Sequence, residues 1–375
     1  MITISSYLLL AAATVMVQAS TSPAPHTQQE TAKSIPLSSA EMNRLQGKAE
    51  AGDAGAQRAL GHAYRDGKGL PQNQALAAKW FRRAADQGDA DAEDSLGIMY
   101  GLGEGVERDK EEAVRWYQKA AKQGNAKAMF NLGASYYNGD GVAIADLTSY
   151  VWFLLAQEAG NPAADEAVQR ALSEKSAAPG AACVKVAQMY ETGAELPKDS
   201  NQALQWYRKA ADAGNPGADV KVTSLLLNSG HSLTREEYTE ARQRCEDAAN
   251  RQFSPGAYCL ALLYERGISV TKDPIQGVKW LGRAAELGNS RAILELGEAY
   301  WKGVGVKPDL VAAYMWIWLA GNAKMPRAEQ DEQEIRKQLS AKKVSEAKQK
   351  AIDWARRHQP VGLRQHQSDS SPPPQ

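Results

Sequence analysis

A 36-residue period runs through this chain and constrains its fold more than any other feature. Gly52, Gly88, Gly124 and Gly160 stand one period apart. Leu60-Gly61-His62-Ala63-Tyr64 recurs as Leu96-Gly97-Ile98-Met99-Tyr100 and as Leu132-Gly133-Ala134-Ser135-Tyr136. Gly67-Lys68-Gly69, Gly103-Glu104-Gly105 and Gly139-Asp140-Gly141 line up behind them. Trp80, Trp116 and Trp152 share a column, as do Ala84, Ala120 and Ala156. After an insertion the pattern resumes with Tyr190, Trp206, Ala210 and Gly214. It returns with Tyr264, Trp280, Ala284 and Gly288, then with Leu296-Gly297, Tyr300, Gly303, Gly305, Trp316 and Ala320. A degenerate unit lies between Gly214 and Gln252, with Leu226 in the Tyr column and no Trp.

Each unit reads as two helices. Ala92, Leu96 and Tyr100 recur at i, i+4 and i+8, one stripe of a helix. Ala113, Trp116 and Ala120 recur at i, i+3 and i+7, the facing stripe of a second. Gly97 permits close approach of the two backbones, and Gly103 and Gly105 suit a connector with positive φ. Asp109 with Glu112, Asp199 with Gln202 and Asp273 with Gln276 have capping-box spacing, and Pro274 suits a first helical position. Lys119, Lys122, Arg208 and Arg283 complement the dipole at the ends of the second helices. One such hairpin cannot bury its apolar face alone, whereas stacked neighbours can. The Trp column is expected to fill that core.

These residues resemble the Sel-1-like repeat family, relatives of the tetratricopeptide repeats. Leu102-Gly103-Glu104-Gly105-Val106 through Trp116 and Ala120-Ala121-Lys122-Gln123-Gly124 carry the resemblance most closely, and it spans about residues 45–325. The expected fold is all-α, a right-handed α-solenoid of stacked antiparallel helix pairs. Its units are expected at 52–87, 88–123, 124–160, 178–213, 214–251 (degenerate), 252–287 and 288–324 within a solenoid at 38–325. Ser38 to Gly52 reads as a capping helix, with Ser38 and Glu41 as its capping box. Asn161 to Glu174 and Arg327 to Gln338 read as extra helices, and 326–358 as C-terminal capping helices. Residues 359–375 read as a disordered tail.

Tyr7 to Val17 is an apolar run followed by Val17-Gln18-Ala19, which reads as a signal peptide over 1–19. The run is too short for a membrane anchor, which needs roughly 20 apolar residues. Met1 to Ser6 departs from the usual pattern, having no Lys or Arg. Residues 20–37 read as a flexible linker. The expected location is the periplasm, with secretion as an alternative.

Charge and chemistry narrow the function. With 44 Lys+Arg against 44 Asp+Glu, the chain lacks the basic excess of nucleic-acid and membrane-surface binders. No HExxH, CxxC, G-x-S-x-G or Walker-type loop occurs, and the repeated Gly-x-Gly connectors follow helices rather than strands. His62, His231, His358 and His366 are scattered. No catalytic residue, metal or cofactor is assigned. Cys245 should lie on the second helix of the degenerate unit and Cys259 on the next first helix. These helices are expected to be antiparallel neighbours, so a disulfide is within reach in an oxidising compartment. Two buried free thiols are the alternative. The resemblance includes a cysteine-rich subgroup with a disulfide in every repeat, a pattern absent here.

Solenoids bind partners along the inner surface of their first helices. The variable positions there are Arg58, His62, Arg65, Glu93, Asp94, Tyr137, Tyr258, Glu265, Glu298 and Trp301. Phe130 and Leu294 also fall there, with packing on an adjacent repeat as the favoured role. Aromatic and Arg side chains at such positions are the usual anchors of protein interfaces. The expected function is a non-enzymatic, monomeric scaffold that holds a protein partner in its concave face. The family analogy implies an immunity protein against a type VI secretion effector of lipase type. An envelope assembly or signalling adaptor and a secreted host-protein-binding factor are the alternatives, with a cell-wall or β-lactam hydrolase behind them.

Overall fold

The computed structural model describes residues 38–174, 178–229 and 232–358. The expected signal peptide, the linker and the C-terminal tail lie outside these residues, as do His231 and His366. The described residues form eighteen α-helices and no strand, an α-solenoid. Seven antiparallel pairs make up its body. They are α2 (Ala54–Asp66) with α3 (Gln74–Ala85), α4 (Ala90–Leu102) with α5 (Lys110–Lys122), and α6 (Ala126–Asn138) with α7 (Asp146–Glu158). Then follow α9 (Pro179–Thr192) with α10 (Ser200–Asp212), and α11 (Pro216–Leu227) with α12 (Arg235–Asn250). The last are α13 (Ser254–Arg266) with α14 (Pro274–Glu286) and α15 (Ser290–Lys302) with α16 (Leu310–Asn322). Four further helices stand outside the pairs: α1 (Ser39–Glu50), α8 (Ala164–Glu174), α17 (Ala328–Arg336) and α18 (Ala341–His358). Helix α1 packs on α2, α8 on α7, and both α17 and α18 on α16.

Side chains start the helices where the sequence places Asp and Asn. Asp89 accepts from the Ala92 N–H at 2.9 Å, and Asp109 from the Glu112 N–H at 2.9 Å. Full capping boxes form at Ser38–Glu41 and at Thr234–Glu237, the second unforeseen from the sequence. Glycine ends six of the seven first helices, α11 ending on Asn228 instead. Gly103 takes φ 78°, and its N–H closes on the Met99 carbonyl at 2.8 Å.

Gly105 does something else. A Cβ there would stand 2.2 Å from the carbonyl oxygen of Gln74, the first residue of the previous second helix. Gly141 meets Lys110 and Gly305 meets Pro274 in the same way, each at 2.2 Å. This column is therefore the point where one layer's connector rests on the backbone of the layer before. Outside the degenerate unit, two units break it, with Glu195 and Ser269. Those units follow the inserted α8 and the degenerate pair α11–α12, the two irregular junctions of the stack.

Inside each pair the core is built one residue after the Trp column. Phe81, Tyr117, Phe153 and Tyr207 are buried there. A Cβ on Gly61 would fall 2.8 Å from the Phe81 ring, on Gly97 2.6 Å from Tyr117, and on Gly133 2.7 Å from Phe153. Glycine and ring thus fill one space between the paired helices. This corrects the expectation for the Trp column. Trp116, Trp152 and Trp206 are buried, but Trp80, Trp280 and Trp316 are only half-buried. Several of these indoles carry a cation from the next turn. Arg83 lies over Trp80, Lys119 over Trp116 and Lys209 over Trp206, at 4.6, 3.8 and 4.0 Å. Trp116 also donates through Nε1 to Glu112 at 2.7 Å, a bond that Phe cannot make. At the C-terminal end Trp354 of α18 packs edge-on against Trp316, with ring centroids 4.8 Å apart.

Two glycine variants separate close approach from backbone strain. Both Gly105 and Gly124 have positive φ, but a Cβ on Gly124 meets nothing within 4 Å. Gly124→Ala is expected to cost about 1 kcal/mol of unfolding free energy, from the left-handed backbone alone. Gly105→Ala should cost roughly 3 kcal/mol or more, because the Gln74 backbone must move. Urea unfolding of both variants checks this, and equal losses would remove the layer contact from the account.

Candidate protein-binding groove

The residues expected to face a partner sit on the first helices, and the structure gives each a neighbour to account for. Arg58 reaches the next unit, pairing through Nη1 with Asp89 at 2.9 Å and Asp91 at 3.0 Å. His62 packs edge-on against Phe81, with centroids 4.9 Å apart. Burial, with Arg65 adding to it, holds the His62 imidazole down to about 4, so it stays neutral near pH 7. Arg65 pairs with Asp66 at 2.8 Å and lies 5.9 Å from the centre of the Phe81 ring.

Glu93 and Asp94 are only 4% exposed, so their carboxylates are interior groups. Glu93 accepts from Gln123 at 2.7 Å, and Asp94 accepts from Asn131 of the following unit at 2.8 Å. Burial raises both, Asp94 to about 6, and the amide hydrogen bonds only partly offset it. Tyr137 donates to Glu174 of α8 and packs near Phe153. Tyr258 donates to Glu295 of the next unit at 2.6 Å, while Arg291 lies 5.7 Å from its ring centre. Burial, then Glu295, pushes the Tyr258 hydroxyl up. Trp301 is half-buried and packs against the C-terminal core.

In the N-terminal units this face is therefore largely closed on itself. Polar side chains of one unit meet those of the next, and the rings of the second helices lie beneath. The pattern changes at α13–α15. There a cavity of about 340 Å³ opens between α13, α14, α15 and the start of α17. Ala261, Leu262, Val278, Leu281, Ala299 and Val304 form its apolar lining. Glu265, Arg266, Arg291, Glu295, Glu298, Lys302 and Arg327 supply charge around it. Of the expected residues, Glu265 and Glu298 line this cavity, and Tyr258 stands behind it through Glu295. Arg58, His62, Arg65, Glu93, Asp94, Tyr137 and Trp301 are not among its lining residues.

Sequence reasoning missed Leu262, Arg266, Arg291, Val304 and Arg327. A signal for them was present. Leu281 occupies the ring column, where the first four units have Phe81, Tyr117, Phe153 and Tyr207. Gly277 occupies a column that holds Ala in five other units, at Ala77, Ala113, Ala203, Ala241 and Ala313. At both positions the second helix of this hairpin carries a smaller side chain than in the first four units.

Next to the cavity the structure joins Cys245 of α12 to Cys259 of α13 by a disulfide, with Cα atoms 5.8 Å apart. Cys183 is a buried free thiol. Around the same junction Asp219 is fully buried between two guanidinium groups. Arg251 meets it at 2.8 Å and Arg244 at 3.5 Å. No group of His, Cys, Asp and Glu among the described residues is arranged to hold a metal ion. None of the described helices is long and apolar enough to cross a membrane.

The match to a protein-family model agrees with this architecture. The model of the Sel1 repeat matches residues 54–89, 90–125, 126–161, 180–215, 254–289 and 290–320. A 78-residue stretch, 21% of this chain, is 35% identical to the ERAD-associated E3 ubiquitin-protein ligase component HRD3B of Arabidopsis thaliana, of which it covers 12%. A 119-residue stretch, 32% of this chain, is 26% identical to chitin synthase regulatory factor 3 of Schizosaccharomyces pombe, of which it covers 13%. The chain thus spans about an eighth of the length of the curated relatives it matches. Among solved structures it is similar to c5321, a protective antigen of uropathogenic Escherichia coli strains displaying an SLR fold. The identity is 27% and the TM-score 0.48, over 89% of this chain and 75% of that one.

Two measurements test the site's chemistry. A carboxylate whose folded value lies above its unfolded value of 3.8 binds more protons when folded, so stability falls as pH rises through that window. For Asp94 the window runs from 3.8 to about 6. Asp94→Asn should therefore be more stable than the parent at pH 8 by about 1–2 kcal/mol, with the gain gone below the window. Urea titrations at pH 3.5 and pH 8 check this, and a pH-independent difference counts against it. Separately, thiol titration of the denatured, unreduced protein should find one free thiol among the three cysteines. Three reactive thiols before reduction would mean that the Cys245–Cys259 bond does not form.

Proposed function

The chain belongs to the Sel1 repeat family, and from that premise we propose that it is a non-enzymatic scaffold that captures one protein partner on its first-helix face. Sel1 repeats build protein–protein interaction scaffolds, and proteins made of them are typically adaptors without catalysis. The observation that carries the reading here is the cavity at α13–α15, where an otherwise self-satisfied face leaves apolar surface and charge open. Compact apolar anchor sites ringed by charge are where interfaces concentrate their binding energy.

The finer reading is an exported periplasmic protein that neutralises a lipase-type effector of a type VI secretion system. Two features favour export: the leader-like run at Tyr7 to Val17 and the Cys245–Cys259 disulfide, which persists in oxidising compartments. The choice of toxin as partner rests on family analogy alone.

Affinity capture from the native envelope fraction, read by mass spectrometry, tests both levels. One stoichiometric protein partner is expected, and a lipase-type effector whose toxicity is suppressed by co-expression supports the immunity role. A stable envelope complex with no protection of intoxicated cells replaces that role by an adaptor. Turnover of a cell-wall or β-lactam substrate by the purified chain, lost on changing one carboxylate, would overturn the non-enzymatic reading.

A further inference from the structure

The cavity at α13–α15 has a structural cause that also indicates what fills it. In the first and third hairpins the ring on the second helix supports the first-helix side chains above it. His62 and Arg65 rest on Phe81, and Phe130 and Tyr137 rest on Phe153. The equivalent positions in this unit are Tyr258, Leu262 and Glu265. Leu281 has no ring to offer them, and its neighbour Gly277 has no side chain. Both residues line the cavity, together with Leu262 and Val278. Val304 adds an apolar edge that is 45% exposed.

The charges around this space are sorted by depth. The carboxylates of Glu295 and Glu298 are sunk, with side-chain exposures of 27% and 20%. Glu295 is held by Tyr258 and Arg291, and Glu298 by Lys302. Their cationic partners stand out into solvent: Arg291 at 69%, Lys302 at 54% and Arg327 at 67%. Arg327 is placed by an unusual backbone, with φ 71° at the start of α17, and lies 3.9 Å from Glu298. Arg266 adds a fourth cation at the end of α13. Glu265 is the one exposed carboxylate of the set. A partner approaching this mouth meets mostly positive charge over an apolar floor.

We propose that the cavity over Leu281 receives an aromatic side chain from an acidic segment of the partner protein, which supplies in trans the ring that this unit lacks. The inference rests on the scaffold reading above and adds to it the chemistry of the partner. The ring would stack over Leu281 between Leu262, Val278 and Val304, with Asp or Glu residues on either side of it facing Arg266, Lys302 and Arg327.

Panning phage-displayed random dodecapeptides against the full-length chain tests this without knowing the partner. Selected peptides are expected to share Trp, Phe or Tyr flanked by Asp or Glu, and to bind more weakly as salt is raised. Two variants then locate the site. Leu281→Phe supplies the missing ring in cis, and the Ala187–Tyr207 pair at the same two positions two units earlier is a precedent for a ring opposite alanine. It should keep the melting temperature and weaken binding of the selected peptides roughly tenfold or more. Arg266→Glu with Arg327→Glu should weaken binding to a similar extent without unfolding. Leu102→Glu, at a 57% exposed position distant in the repeat order, should leave binding unchanged.

Basic or ring-free consensus peptides, binding unmoved by both variants, or no selected peptide overturn the proposal. So does self-association of the chain that Leu281→Phe abolishes, because the occupant would then be a second copy. None of these results touches the scaffold reading, which envelope capture and the turnover assay test separately.

Discussion

The solenoid depends on one pairwise constraint, the space shared by a small residue on each first helix and a larger one on the second. The pairs run Gly61–Phe81, Gly97–Tyr117, Gly133–Phe153, Ala187–Tyr207, Thr223–Cys245, Ala261–Leu281 and Gly297–Ile317. Where the first member is glycine, the second is a ring or isoleucine, and a Cβ on the glycine would stand within 2.8 Å of it. Where the first gains a side chain, the second is a Tyr, a Leu or a Cys. Interiors are packed at crystal-like density, so such pairs trade volume rather than vary independently. The distance between paired helices, and hence the thickness of each layer, follows from that trade. The second glycine column then sets the distance between layers, since Gly105, Gly141 and Gly305 touch the preceding backbone directly.

The middle of the chain shows what happens when the trade goes furthest. In the degenerate unit Thr223 and Cys245 replace the glycine and the ring, and Arg244 stands in the Trp column. Little apolar volume is left there, and polar and covalent bonds take over. Thr223 donates to the buried Ala241 carbonyl at 2.9 Å, and the Cys245 sulfur lies 3.4 Å from the same hydroxyl. Arg244 turns to Asp212 and Asp219 instead of stacking in the core. The disulfide to Cys259 then ties this unit to the next. A cross-link of this kind limits the unfolded chain, which helps most where packing contributes least. The buried Asp219 works differently. Burial raises its carboxyl against the pull of Arg251 and Arg244, so the cluster is specific in geometry more than strong in net energy.

Much of this architecture could be read in the sequence because repeated identity is easy to see. The Tyr and Trp columns placed the helix pairs, and Asp and Asn at the right offsets placed their starts. The ring column escaped notice because its members are complementary to their partners rather than alike, running from Phe through Tyr to Cys, Leu and Ile. The Trp column, being uniform, looked like the core, yet Trp is favoured there partly for its polar edge and its cation-bearing face, as at Trp116 with Glu112 and Lys119. The first-helix residues were harder still. Asp94 and Asn131 are 37 positions apart, as are Tyr258 and Glu295. Whether such side chains face a neighbour or a partner depends on the register between layers, which the period gives only to within a residue or two. Glu93 and Asp94 therefore looked like surface charges although they are buried.

The same logic explains why a binding site would appear where it does. A repeat array that satisfied its local rule in every unit would present a closed face with nothing left to bind. Units one to three approach that state, since their first-helix side chains rest on their own rings or pair with the next layer. A site needs a unit that departs from the rule without falling apart. The sixth unit can do so because its losses are compensated on both sides. The disulfide anchors it to the fifth unit, and Tyr258 with Glu295 anchors it to the seventh. Arg327, in a backbone conformation that non-glycine residues rarely adopt, closes the far side of the opening. Departures from local consistency in a folded protein tend to mark functional positions. Here the departure is a leucine in the ring column together with a glycine in the neighbouring alanine column, and the surrounding bonds keep the space they leave from collapsing.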